Sequence, residues 1–191
     1  MERNLIARSP TLKEQQVVTE NISRLRLFGR TFTFQYHDVL IPFTLLLRVA
    51  MAWVFLWAGI EKLLNGFSAA GFLVNGTSGP LKDFWVSLGQ SSTAVAIINP
   101  LVIVSQILMG VALLLGLFTR LALLGAAAQM FLFYLAQYPP EFNPFLDYFI
   151  VYILVFALLG ALGAGRILGL DRYIERWPWV RRSRWLRYLL G

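Results

Sequence analysis

The stretch 39–64, VLIPFTLLLRVAMAWVFLWAGIEKLL, decides the fold class of this chain. It contains only three charged side chains, Arg48, Glu61 and Lys62. A helix that crosses a bilayer needs about 20 consecutive, mostly apolar residues, so we predict a transmembrane helix here. Three similar apolar runs follow along the chain, at about 93–118, 121–138 and 145–168.

The composition of the whole chain also indicates a membrane protein. Of its 191 residues, 58% are hydrophobic and only 14% are charged, whereas a soluble domain carries about 25% charged residues. The chain has no cysteine and a single histidine, His37. These counts exclude thiol chemistry, Fe–S clusters and bis-histidine haem ligation by this chain. The sequence contains no haem, flavin or metal motif, and it assigns no catalytic residue.

The positive charge predicts the orientation. Residues 1–38 carry six basic and four acidic side chains, which gives +2, and residues 166–191 carry seven basic and two acidic ones, which gives +5. Cytoplasmic segments of membrane proteins are enriched in Lys and Arg. An even number of spans places both tails on one side, so we predict that both termini face the cytoplasm. Nucleic-acid binding is not expected, because no folded basic domain is present.

These observations predict an all-α integral membrane four-helix bundle with an interfacial amphipathic C-terminal segment. We divide the chain into a polar, interfacial N-terminal tail (1–38), a four-transmembrane-helix domain (39–170) and a basic aromatic interfacial tail (171–191). Aromatic and polar residues alternate at 32–36, which favours an extended segment at the membrane surface. The loop at 65–92 is rich in Gly and Ser, and we expect an interfacial or re-entrant piece within it.

The C-terminal tail interleaves aromatic and cationic side chains. Trp and Tyr rings favour the headgroup level of a bilayer, and guanidinium groups reach lipid phosphates. The residues that we assign to this lipid interface are Trp177, Trp179, Arg181, Arg182, Arg184 and Trp185. Membrane lipids are therefore expected partners, and a helix that docks another protein is the alternative.

Polar side chains at membrane depth are costly, so each is a candidate functional residue. Arg48 and Lys62 fall on one helical face, about 21 Å apart at 1.5 Å per residue. They form either the basic wall of a cavity or two cations that snorkel to opposite headgroups. Near the outer end we expect either a Lys62–Asp147 ion pair or a Glu61–Lys62–Asp147 cluster. The candidates for binding an anionic substrate or a quinone are Arg48, Trp57, Glu61, Lys62, Gln106, Gln129, Asp147, Tyr148 and Tyr152.

Two further patterns concern helix packing. Gln106 and Gln129 lie at similar heights on the second and third spans, where the simplest role is an interhelical hydrogen bond and the alternative is to line a quinone headgroup pocket. A stripe of small residues suits close helix packing, within the bundle or at a homo-oligomer seam. Its members are Ala157, Ala161, Gly165 and Gly169.

Two motifs resemble the DoxX/DoxD family of small four-helix membrane proteins. The first combines Arg48 with the run Phe55-Leu56-Trp57-Ala58-Gly59 and with Glu61-Lys62; the second closes the apolar run after Gly110 with Leu115-Gly116-Leu117-Phe118-Thr119-Arg120. The resemblance covers about residues 40–170. The family positions that carry over are Arg48, Gly59, Lys62, Gly110, Gly116 and Arg120.

The resemblance implies a multi-pass protein of a prokaryotic cytoplasmic membrane that serves quinone-linked redox metabolism. DoxD-type members are a subunit of thiosulfate:quinone oxidoreductase, which joins two thiosulfates into tetrathionate and passes the electrons to quinone. The expected function is thus a membrane component of a quinone-linked oxidoreductase of the thiosulfate:quinone type. Quinone would be the electron acceptor and a second redox subunit the partner. The alternative is a non-catalytic scaffold that recruits a redox partner or lipid.

Overall fold

The structure is a computed structural model. The residues that it describes are 22–27, 30–140, 143, 146–183, 186 and 189–190. Within the chain, contacts between residues define two compact units, 1–43 and 44–191.

The first unit contains a two-stranded antiparallel hairpin. Strand β1 (Ile22–Leu27) pairs with strand β2 (Arg30–Gln35), in a register that sets Ile22 opposite Gln35. The extended segment expected at 32–36 is therefore present, although Tyr36 already belongs to the helix that follows. The all-α prediction thus describes the chain from Tyr36 onward, and the hairpin is an addition to it.

Eight α-helices form in the described part of the chain. Their bounds are α1 (Tyr36–Leu64), α2 (Ala69–Asn75), α3 (Lys82–Gln90), α4 (Ser92–Leu115), α5 (Thr119–Ala136), α6 (Tyr148–Ala161), α7 (Asp171–Ile174) and α8 (Pro178–Arg182). Short 3₁₀ turns occupy Gly79–Leu81 and Ala164–Arg166. Three of these helices are long and apolar enough to cross a membrane, namely α1 from Val39, α4 and α5.

The fourth helix is shorter than the run 145–168 predicted. Helix α6 has 14 residues, and it ends because Gly163 adopts a left-handed conformation, with φ of 62°. A glycine in this conformation is a frequent terminator of helices. The chain then turns through Ala164–Arg166, so the last third of the predicted span is not part of the helix.

The α4–α5 hairpin turns slightly earlier than predicted. The predicted runs 93–118 and 121–138 leave only Thr119 and Arg120 between them, yet α5 begins at Thr119. The turn is formed by left-handed residues at Gly116 and Phe118, with φ of 63° and 46°. Glycine adopts this conformation without strain, whereas a bulky residue needs support from its neighbours.

The loop between α1 and α4 is folded rather than extended. Helices α2 and α3 both lie within residues 65–92. The side chain of Asn99 on α4 accepts a hydrogen bond from the first amide of α2, that of Ala69, at 2.8 Å. The amide of Ser78 donates to the carbonyl of Ala136 at the end of α5, at 2.9 Å. These bonds attach the loop to the ends of both long helices.

One face of α1 supplies the centre of the core. Arg48, Ala52, Phe55 and Gly59 lie on the face that the spacing identified, and all four are buried. Phe55 meets Phe156 of α6 edge to face, with ring centroids 5.6 Å apart, a favoured geometry for aromatic pairs. This contact joins α1 and α6 in the core.

Candidate functional site

Arg48 is the most deeply buried cation among the described residues, with 2% of its surface exposed. Its Nη1 donates hydrogen bonds to the carbonyl oxygens of Ala164 and of Ile167, the latter at 2.7 Å. Both acceptors belong to the turn after α6, where the helix has ended and its carbonyls need new donors. Arg48 therefore faces inward and holds this turn against α1.

Asp171 completes the same region from the other side. Its side chain is fully buried; Oδ1 accepts from the amide of Phe118 at 2.7 Å and Oδ2 from that of Thr119 at 3.0 Å. A carboxylate at a helix N-terminus satisfies free amides and favours the helix dipole. Asp171 thus caps α5 across a separation of more than 50 residues, and its charge lies within electrostatic range of Arg48.

Glycines allow these groups to approach one another. A Cβ at Gly165 would overlap Asp171 Oδ2 and Thr119 Oγ1, and one at Gly116 would lie 2.6 Å from the Cα of Gly169. The amide of Asp171 also donates to the carbonyl of Gly116 at 2.8 Å. We call this set the arginine–aspartate junction; its members are Arg48, Gly116, Thr119, Gly165, Gly169 and Asp171.

The sequence did not indicate Asp171, which appears there as one acid within a basic tail. The only signal was the small-residue stripe, whose lower half, Gly165 and Gly169, lies at the junction. The upper half, Ala157 and Ala161, is exposed on α6. The stripe therefore serves two different surfaces rather than one continuous helix seam.

The expected Lys62–Asp147 ion pair does not form; among the described residues Lys62 has no carboxylate within ion-pair distance. Lys62 Nζ donates to the carbonyl of Ala58 on its own helix at 3.2 Å, and it lies 5.5 Å from the ring centroid of Phe67. Asp147 Oδ1 accepts from the amide of Tyr148 at 2.6 Å, as the N-cap of α6. Each charge is satisfied locally. Glu61, next to Lys62, is exposed.

The two glutamines do not bond to each other. Gln129 Nε2 donates to Ser105 Oγ at 3.2 Å, which links α5 to α4 one residue away from Gln106. The Oε1 atoms of both glutamines are buried and have no hydrogen-bond partner within the described residues. The interhelical bond that the sequence suggested is therefore present with a different partner.

The aromatic candidates divide into an exposed pair on α1 and a row along α6. Trp57 is 54% exposed and stacks on Trp53, with centroids 5.9 Å apart, on the outside of α1. The row along α6 begins at Tyr148, which is also 54% exposed; Tyr148 and Tyr152 are 6.4 Å apart, and Tyr152 and Phe156 are also 6.4 Å apart. Tyr148 OH contacts Gln137 Oε1 at 3.5 Å. Trp57 is thus separated from the tyrosines.

Of the predicted lipid-interface residues, Trp177 and Arg182 are exposed. Four of them lie outside the residues whose side chains the structure describes, namely Trp179, Arg181, Arg184 and Trp185.

A groove between α5 and α6 has a volume of about 410 Å³. Arg120, at the first turn of α5, lies at one end beside Gly160 and Ala161. Ligand sites are usually clefts of about 300–1,000 Å³ with mostly apolar walls and few polar groups. Its apolar walls come from Leu123, Leu124, Ala127, Ile153, Phe156 and Ala157.

The family model that matches this chain is DoxX, over residues 43–138. That match covers α1 through the end of α5, so it includes Arg48, both glutamines and one wall of the groove. The chain is a member of the DoxX family. No curated protein and no solved structure matches this DoxX chain significantly. The second wall of the groove, helix α6, lies beyond the matched residues.

The arrangement suits an amphiphile rather than a metal. Within the described residues no group of three His, Cys, Asp or Glu side chains is placed to hold a metal ion. The groove offers one guanidinium, which can donate several hydrogen bonds, above a run of apolar walls. A ligand with an acceptor-bearing headgroup and an apolar tail matches these surfaces. In the sequence, Arg120 stands out only as a position shared with the family, and no pattern there connects it with α6.

Proposed function

We propose that this DoxX protein is the quinone-binding membrane component of an oxidoreductase, and that quinone binds in the α5–α6 groove. The observation that carries the proposal is the combination, in one cleft of about 410 Å³, of apolar walls with Arg120 at one end. A quinone has two carbonyl oxygens that accept hydrogen bonds and an isoprenoid tail that prefers an apolar surface. Arg120 at one end of the groove matches the carbonyl oxygens, and the apolar walls match the isoprenoid tail.

The chain's own residues bind and orient this ligand. The Arg120 guanidinium donates to an acceptor oxygen, and Phe156 and Ile153 exclude water from the tail. The junction supports the site because Asp171 holds the amide of Thr119, the residue next to Arg120. When bound, quinone supplies two-electron, two-proton redox chemistry. The electron donor is a redox partner or, as in the DoxD-type enzymes, thiosulfate, of which two anions release two electrons as they form tetrathionate.

Filling the groove tests this proposal. Ala157 is exposed and lines the groove, so Ala157→Phe places a ring where the tail would lie. We expect the affinity for a short-chain ubiquinone, measured by quenching of tryptophan fluorescence in detergent micelles, to fall by about tenfold or more. Ala96 on α4 is also exposed but lies outside the groove, so Ala96→Phe is the matched control.

Two outcomes would contradict the proposal. The first is that Ala157→Phe and Ala96→Phe bind the quinone as tightly as the wild type. The second is that the wild type shows no saturable binding, which would favour the scaffold function instead. In that function the arginine–aspartate junction would serve only to present the C-terminal segment to a partner.

We further propose that α1, α4, α5 and α6 all cross a prokaryotic cytoplasmic membrane, with both termini in the cytoplasm. Helix α6 spans only about 21 Å at 1.5 Å per residue, which is less than the hydrocarbon core of about 30 Å. Local thinning of the bilayer accommodates a short span at modest cost. The excess of Arg and Lys in the two tails supports this orientation.

Single-cysteine labelling tests this topology, because the native chain has no cysteine. Asp83 on α3 and Arg176 after α7 are both exposed. Three crossings between them would place Asp83→Cys outside and Arg176→Cys inside. We therefore expect a membrane-impermeant maleimide to label only Asp83→Cys in intact cells, and both variants after permeabilisation. Labelling of both in intact cells would show that α6 does not cross.

A further inference from the structure

The segment after α6, residues 162–182, displays exposed cations, three of which have no acidic partner among the described side chains. Arg172, Arg176 and Arg182 are exposed, and none of the three has an ion pair with a described residue. Arg166 differs, because its Nη2 lies 2.6 Å from Glu175 Oε1 and its Nε lies 3.1 Å from the same oxygen. Among the described side chains, the surface therefore carries one guanidinium that is paired with an acid and three that have no ion pair.

Apolar side chains project from the same segment. Leu168 is 78% exposed and Tyr173 is 62% exposed. Leu168 also adopts a left-handed backbone conformation, with φ of 49°, which is rare for a bulky residue and needs support from the surrounding structure. Isolated exposed apolar residues are common on proteins, but a leucine held outward in this way beside arginines is characteristic of a membrane-contacting surface.

The junction fixes this surface at one end of the bundle. Arg48 bonds the carbonyl of Ile167, immediately before Leu168, and the amide of Leu170 donates to the carbonyl of Leu115 at 3.1 Å. Leu115 is the last residue of α4, which is a candidate membrane span. Residues 167–176 are therefore attached beside the end of α4, which is the headgroup level in the topology proposed above.

We propose that this segment is a binding surface for anionic phospholipid, with lipid phosphate on Arg172 and Arg176 and with Leu168 and Tyr173 between the acyl chains. Charge complementarity identifies the occupant: each basic side chain near a membrane surface strengthens binding to anionic lipid about fivefold, and a zwitterionic lipid gains little of this. The proposal is independent of quinone binding, since it uses none of the residues that line the groove.

Lipid retention measured by native mass spectrometry tests the surface. The full-length protein is released from nanodiscs that contain equal amounts of phosphatidylglycerol and phosphatidylcholine. We expect the wild type to retain phosphatidylglycerol in preference to phosphatidylcholine. In the double variant Arg172→Gln/Arg176→Gln this preference should fall roughly 25-fold. The matched control is Arg166→Gln/Glu175→Gln, which removes a cation together with the acid that already compensates it and so leaves the net charge unchanged; its preference should change less than about twofold.

Two results would overturn the proposal. Equal retention of the two lipids by the wild type would exclude an anionic-lipid site and leave an acidic soluble protein as the partner. An equal loss in this charge-neutral control and in Arg172→Gln/Arg176→Gln would show that lipid binding does not depend on Arg172 and Arg176. Because the substituted arginines are exposed, an unchanged melting temperature of each variant in the same nanodiscs verifies that the fold is intact.

Discussion

Asp171→Ala is expected to lower the free energy of unfolding by about 3–5 kcal/mol. Two amides at the start of α5, those of Phe118 and Thr119, lose their acceptor, and each unsatisfied buried donor costs about 1–3 kcal/mol. The buried guanidinium of Arg48 also loses its nearby negative charge. The apparent melting temperature in detergent micelles should fall by roughly 10 °C.

Glu175→Ala is the matched control for this prediction, because it removes a second acid from the same segment. The ion pair of Glu175 with Arg166 is partly exposed to solvent, so its loss should change the stability by no more than about 1 kcal/mol. Asp171→Asn should give an intermediate value, since the amide oxygen still accepts one hydrogen bond. Equal shifts for Asp171→Ala and Glu175→Ala would contradict the structural role assigned to the junction.

Gly165→Ala is expected to destabilise the protein by about 3 kcal/mol, the upper end of the usual cost of overpacking. Its Cβ would overlap Asp171 Oδ2 and Thr119 Oγ1, and it would lie 2.7 Å from the Cβ of Thr119. These neighbours are buried and cannot move away without breaking the cap of α5. The effect is steric, since the backbone of Gly165 is not left-handed.

Gly71→Ala controls for the general effect of adding a methyl group to a glycine. Nothing lies within 4 Å of a Cβ at Gly71, which belongs to α2. Alanine favours a helix over glycine by about 0.5–1 kcal/mol, so this variant should be neutral or slightly more stable. Thermal unfolding of both variants under the same conditions measures the difference. A melting temperature for Gly165→Ala equal to that of Gly71→Ala would show that the junction is not tightly packed.

The long helices were predictable because a bilayer demands long apolar runs. The predicted first span, 39–64, coincides with the candidate span found in α1, and the second and third differ from α4 and α5 by one to three residues at either end. The face of α1 that carries Arg48 and Phe55 was also identified from the helical spacing alone. These features depend only on local sequence and on the bilayer as solvent, and the hydropathy of the sequence indicates both.

The end of α6 was not predictable from hydropathy. Residues 162–168 are apolar enough to extend a span, yet Gly163 ends the helix and Arg48 binds the carbonyls that follow. The turn after α6 therefore depends on Arg48, a residue more than 100 positions earlier in the chain. The role of Asp171 was not predictable either, because its partners are backbone amides in a turn that is distant in sequence.

The predictions of polar side-chain pairs were wrong for a different reason. Lys62 and Asp147 were matched because their charges are opposite and their heights similar, but each finds a partner within its own helix. Local hydrogen bonds order fewer side-chain torsions than a long-range pair between two flexible chains. Gln129 likewise takes Ser105, which lies one residue before the expected partner. Spacing alone gives the height of a side chain and not its choice of partner.

The placement of the candidate residues changes where a ligand is expected. The sequence suggested candidate binding residues around Lys62 and Asp147 near the outer ends of the helices and around Gln106 and Gln129 at mid-depth. The groove instead has its cation, Arg120, at the start of α5, beside the turn that Asp171 caps. In the proposed topology this is the cytoplasmic end, so the quinone headgroup would meet a redox partner on the cytoplasmic side.

Photolabelling with a ring-azido ubiquinone analogue tests the central claim most directly. The protein is labelled in native membranes, with and without excess unlabelled quinone, and the modified peptides are mapped by mass spectrometry. We predict competed labelling confined to the two groove walls, residues 120–127 and 153–161, and its loss in Ala157→Phe. Competed labelling at Lys62 and Tyr148, or beside Gln106 and Gln129, would contradict the account.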